Sequence, residues 1–111
     1  MTYINCFLIK KLLSFYCKKK ISIKAPNDLL VSKKKISGIL QEVIKKDKEI
    51  YMIVGIGINL VKNPNIVNYP TTNLLEVSKK KINKNEIIFR LKKIYEKFIP
   101  KLNSCKSTEI L

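Results

Sequence analysis

The chain has 111 residues, a formal net charge of +15, no histidine and three cysteines. That length allows one domain with a modest core, short for an enzyme that must hold two ligands. The missing histidine excludes a His-based triad, an imidazole general base and a His-ligated metal. Cys6, Cys17 and Cys105 lack Cys-x-x-Cys spacing, which argues against a zinc site or a closed disulfide framework and suits a reduced, cytoplasmic compartment.

Ile4, Phe7, Leu8, Leu12, Phe15 and Tyr16 recur at helical spacing and predict an amphipathic helix over residues 4–18, closed by Lys18 to Lys20. Lysines follow its apolar run rather than precede it, so it does not read as a signal peptide. No apolar run reaches the roughly 18 residues that span a bilayer, so no membrane partner is expected.

Ile21 and Ile23 then lead into a Pro26-Asn27-Asp28 break, Leu29 to Val31 resume the apolar run, Ser32 to Lys34 make a polar turn, and Ile36 to Ile44 returns, so the stretch reads as strand, turn, strand. Pro26 has no N–H for a ladder, so a bend or bulge is expected where Asn27 and Asp28 stand, and such bends aim side chains at ligands. Asn27 offers donors and an acceptor suited to the edge of a heterocycle, and Asp28 a carboxylate for a metal or an attacking ammonium. Lys35 supplies a point positive charge for a phosphate or developing oxyanion, and Gly38 lets a ligand lie against the backbone. Taken singly, each residue also has a structural reading, as turn chemistry, solvated charge or a strand bulge.

After a charged turn at Lys45 to Glu49, Ile50 to Leu60 reads as a second long β-rich run, paired with Ile36 to Ile44 in a meander. Its Gly55-x-Gly57 is not a dinucleotide fingerprint, because Leu60 stands where a third glycine belongs. The glycines leave room for a flat ring, with Asn59 able to hydrogen-bond its edge. Residues 61–73 read as a polar loop. Asn83 and Glu86 form a capping-box pattern opening a helix whose apolar face runs through Ile87, Ile88, Leu91, Ile94, Tyr95 and Phe98 until Pro100 stops it. The fold class expected is α/β in the α+β sense: a mixed, largely antiparallel sheet with helices packed on it. Residues 1–100 form the domain, and 101–111 a polar tail that frays.

Taken in order, Lys24-Ala25-Pro26-Asn27-Asp28-Leu29 and Lys35-Ile36-Ser37-Gly38-Ile39-Leu40-Gln41-Glu42 resemble the signature of the biotin protein ligases. Val54-Gly55-Ile56-Gly57-Ile58-Asn59 and Tyr69-Pro70-Thr71-Thr72-Asn73-Leu74 resemble two further blocks of that family. The resemblance implies part of a biotin/lipoate ligase-type catalytic domain, with ATP, biotin and magnesium as ligands. The implied reaction is activation of biotin to biotinyl-5'-AMP and transfer to a lysine on the biotin carboxyl carrier domain of a carboxylase.

By the same resemblance Lys35 is the active-site lysine, contacting the biotin carboxyl and the α-phosphate region, and Gly38 and Leu40 line biotin through their backbone. Asn27 and Asn59 are adenine-side contacts and Lys24 a phosphate-side candidate. Asp28 orients magnesium or the acceptor lysine. Ala25 stands where the family has tryptophan, and the family's Gly-Arg-Gly-Arg type loop has no counterpart in these residues. The expectation is therefore a protein inactive alone, with an exposed sheet edge and a complementary N-terminal ligase fragment as a further partner. Two rival readings are a non-catalytic interaction fragment or remnant and a basic nucleic-acid-binding module. The second is disfavoured by Arg90 being the only arginine, because arginine is the usual reader of phosphates and bases.

Overall fold

The computed structural model describes residues 2–62, 70–99 and 108–110. Helix α1, Thr2–Leu13, leads into the antiparallel strands β1 Ile21–Lys24, β2 Asp28–Val31, β3 Lys34–Lys46 and β4 Glu49–Ile58, followed by α2 Leu74–Ser78, α3 Lys84–Phe98 and β5 Thr108–Ile110. The sheet order is β1-β2-β3-β4-β5, with β5 parallel to β4. The antiparallel meander with helices packed on it is the class read from the sequence.

α1 and α3 share one face of the sheet. Cys6, Ile9, Leu12 and Leu13 from α1 and Ile87, Leu91 and Tyr95 from α3 close over Leu29, Val31, Ile36, Ile39 and Val54. Burying that apolar surface is what holds two short helices on the sheet, since isolated helices of this length are marginal in water.

The predicted first helix ends early. The Ser14 hydroxyl donates back to Lys10 O at 2.7 Å, and Phe15 N and Tyr16 N donate to the carbonyls three residues earlier at 3.2 and 3.0 Å, so the last turn tightens and the chain leaves the axis. Cys17 and Ile21 then drop into the core.

Both long hairpins close on two residues of positive φ, Ser32 and Lys33 after β2 and Asp47 and Lys48 after β3. That primed-turn twist matches the twist of paired strands, although no glycine supplies it here. The capping box at the start of α3 forms as expected, with Asn83 Oδ1 accepting from Glu86 N at 3.1 Å.

Two differences matter. The loop read over 61–73, of which 63–69 lie outside the described residues, is followed by a short helix the sequence reading did not mark, α2, capped by Asn73 Oδ1 accepting from Glu76 N at 2.8 Å. Asn73 and Glu76 repeat the three-residue spacing of Asn83 and Glu86, so the signal was present in the sequence. In the stretch read as a polar tail, Thr108–Ile110 pair with Met52 to Val54 as β5.

Candidate functional site

The bend expected at Asn27 and Asp28 is a turn there, with a cis Ala25–Pro26 bond. The irregularity in the ladder falls further on and in the next strand: Leu29 pairs with Ser37 but Leu30 with Lys35, so Ile36 is an extra residue in β3. Ile36 and Ser37 are consequently both buried. Regular alternation would put Lys35 and Gly38, three residues apart, on opposite faces. The bulge brings them to the same face.

That is the face away from the helices. Asp28 stands opposite Gly38 on one side and opposite Lys24 on the other, while Gly38 stands opposite Gly57 and Leu40 opposite Gly55. The Lys35 ammonium lies 3.3 Å from Asp28 Oδ1. The lysine tip also lies over the bare backbone of Gly38, since a Cβ added there would stand 3.2 Å from both Lys35 Cε and Nζ.

Beyond this charged head the surface is flat. Among the described residues, a Cβ on Gly57 would find Gly38 O, at 3.8 Å, and one on Gly55 would find Leu40 O and Cβ, at 3.6 and 3.8 Å. Leu40 offers its isobutyl group at 61% exposure. Its side chain thus stands beside the backbone of Gly55 at this platform. The result is a strip of glycine backbone beside the Leu40 side chain, headed by an ammonium and a carboxylate.

The backbone of Lys35 is pinned from three sides. Its N–H donates to Pro70 O and its carbonyl accepts from Thr72 N, both at 2.9 Å. Asn59 Nδ2 donates to Thr72 O at 3.1 Å and reaches Lys35 O at 3.5 Å. Asn59, read as an adenine-side contact, thus has its Nδ2 directed at Thr72 O and Lys35 O, and its Oδ1 is the acceptor of this side chain. Thr72, buried and donating to Glu76 Oε2 at 3.2 Å, was not singled out as a site residue. Only long-range hydrogen bonds reveal it. Asn27 sits in the turn with its carbonyl accepting from Ile39 N at 2.9 Å.

Asp28 does not fit a protein-held magnesium. It brings one carboxylate, already paired with Lys35, and no group of three or more His, Cys, Asp or Glu side chains converges among the described residues. A magnesium ion takes one or two carboxylates when phosphates supply the rest of its shell.

A hollow of about 640 Å³ between β4 and α3 is on the other face and lined mainly by Ile56, Ile58, Leu60, Ile87, Leu91 and Tyr95. Lys84, Lys92 and Glu96 also line it.

The spacing at Gly38 makes one expectation sharp. Gly38→Ala should leave the unliganded melting temperature within a few degrees, because the displaced atoms are the end of a flexible side chain and alanine suits a strand interior better by roughly 0.5–1 kcal/mol. It should nevertheless move the ammonium and weaken any ligand that uses it. Thermal melts with and without ligand separate the two effects.

Residues 7–59, which contain Asp28, Lys35, Gly38, Leu40, both β4 glycines and Asn59, match the model of the biotin/lipoate A/B protein ligase family. The bifunctional ligase/repressor BirA of Bacillus subtilis is 35% identical over 82 residues, which are 68% of this chain and 25% of that protein. Among solved structures, biotin protein ligase from Aquifex aeolicus in complex with biotin and ATP superposes with a TM-score of 0.66 at 31% identity, over 89% of this chain and 42% of that one. Plasmodium falciparum LipL1 in complex with lipoate shares the fold at 21% identity, with a TM-score of 0.66 over 99% of this chain and 34% of its own. The chain thus spans from a quarter to about two fifths of the length of these relatives.

Proposed function

Since the chain belongs to the biotin/lipoate A/B protein ligase family, we propose that its open sheet face is one wall of an acyl-adenylate site. Its ligand is biotinyl-5'-AMP, and the acyl group passes to a lysine of a carrier domain. The observation that carries this reading is the Lys35 ammonium, held over Gly38 beside Asp28 at the head of the glycine strip.

The chemistry asks for that arrangement. Adenylation joins a carboxylate to the α-phosphate of ATP with loss of pyrophosphate, so two anions must approach each other. A fixed cation between them lowers the repulsion and stabilises charge that builds on the phosphate oxygens. In the second step a neutral amine attacks the acyl carbon of the mixed anhydride, the bond to AMP breaks, and the amine proton must leave. Lys35 suits the phosphate and acyl oxygens of both steps. Asp28 is placed to draw in and orient the incoming lysine. The glycine strip takes a planar ring, with Asn59 Oδ1 at its end and Asn27 nearby. Lys24, opposite Asp28, extends the positive charge towards the phosphates, and magnesium arrives with the ATP phosphates.

The test is thermal melting with biotinyl-AMP. A ligand that binds only the folded state stabilises it by about 2.7 kcal/mol at 100 times its Kd, roughly 10 °C for a domain of this size. A rise of that order supports the site. No rise at millimolar ligand removes it. Lipoyl-AMP alongside reports which acyl chain the face prefers.

A further inference from the structure

The helical layer carries a feature that the adenylate site does not use. Between α1 and α3, on the side away from the sheet, runs a cleft of about 320 Å³ whose lining includes Leu8, Ile94 and Phe98 and also Lys11, Lys93 and Lys97. At its rim Phe15 and Phe89 are 56% and 61% exposed, far above what a residue of this type shows in a closed core. The carboxylates nearby, Glu86 and Glu96, are ion-paired with Arg90 at 3.2 Å and Lys93 at 3.7 Å.

We propose that this cleft is a docking groove for an acidic amphipathic helix. Its apolar stripe lies along Leu8, Ile94 and Phe98, and its carboxylates meet Lys11, Lys93 and Lys97. An apolar channel between two helices receives the side-chain ridge of a third, the usual helix-in-groove mode. Banks of one charge sign select a helix of the opposite sign and speed its encounter.

Two other occupants fit less well. Single-stranded nucleic acid would stack bases on the exposed rings, but Arg90 already lies 4.7 Å from the centroid of Phe15 and Lys93 5.4 Å from that of Phe89. A lipid surface is reached by projecting apolar groups, whereas Leu8 and Ile94 are half-buried between the helices.

The experiment uses the whole chain and a fluorescein-labelled stapled helix with leucines at i, i+3, i+4 and i+7 and glutamates elsewhere. The same helix with lysines for glutamates, phosphatidylserine vesicles and a single-stranded oligonucleotide run beside it. The acidic helix should bind and the basic one should not, with Phe89→Ser and Lys93→Glu each weakening binding by about tenfold or more. Both positions are exposed on α3, and circular dichroism melts check that the variants still fold. Failure of the acidic helix to bind, binding indifferent to both substitutions, or variant-sensitive binding confined to vesicles or oligonucleotide would overturn the proposal. The groove lies across the sheet from Lys35, so the biotinyl-AMP melt in the same variants reports on the adenylate site independently.

Discussion

Lys35→Ala is expected to abolish most of the stabilisation that biotinyl-AMP confers. A hydrogen bond to a charged group is worth about 1.5–3 kcal/mol, so the Kd should rise on the order of 10- to 100-fold. The unliganded protein should hardly change. The Lys35–Asp28 pair keeps 30% and 25% of its side-chain surface exposed, and a partly solvated ion pair contributes about 0–1 kcal/mol. The contacts to Pro70, Thr72 and Asn59 go through backbone atoms of residue 35, so alanine keeps them. Isothermal titration alongside melting gives both readings. An affinity unchanged in Lys35→Ala would show that the ammonium is only one half of a surface ion pair.

A larger loss of stability is expected at Asn5, fully buried in α1. Its Oδ1 accepts from the Tyr95 hydroxyl at 2.7 Å, and its Nδ2 donates to Gln41 Oε1. This chain of hydrogen bonds ties α3 through α1 to β3. Asn5→Ala removes it and leaves the Tyr95 hydroxyl without its acceptor, at a cost of about 2–4 kcal/mol. Against a total of roughly 5–15 kcal/mol for a domain of this size, that lowers the melting temperature by about 10–20 °C.

Tyr95→Phe should cost less, about 1–2 kcal/mol, and the double variant less than the sum. Burial, with a smaller contribution from Cys6, raises the Tyr95 pKa well above its ordinary 10.0. A raised folded-state pKa gives stability that is fully present below the unfolded value and lost as pH climbs beyond it. The parent protein should therefore lose stability above about pH 10, and Tyr95→Phe should lose less. Urea titrations at pH 8 and pH 10.5 read the difference.

Much of this architecture follows from local sequence. Apolar spacing gave α1 and α3, and Asn83 with Glu86 fixed where α3 starts. Apolar runs parted by polar turns gave an antiparallel meander, although the break at Asn27 and Asp28, read as a bend within one strand, is the turn that separates β1 from β2, and Lys35, Gly38 and Asn59 were marked as candidate site residues. Such signals are legible because they depend on neighbours within a few positions.

Tertiary structure decided how those residues meet. Strict alternation separates Lys35 from Gly38, and only the single extra residue at Ile36, set by how β2 pairs with β3, turns the ammonium onto the glycine strip. The pinning of Lys35 by Pro70, Thr72 and Asn59 and the Asn5–Tyr95 bond join positions 13 to 90 residues apart, and β5 joins β4 from more than fifty residues on. Pairings of that range form only once the apolar faces have collapsed, because their loop-closure entropy must be met by burial elsewhere. The residue types are therefore written in the chain, and their common face is written in the packing.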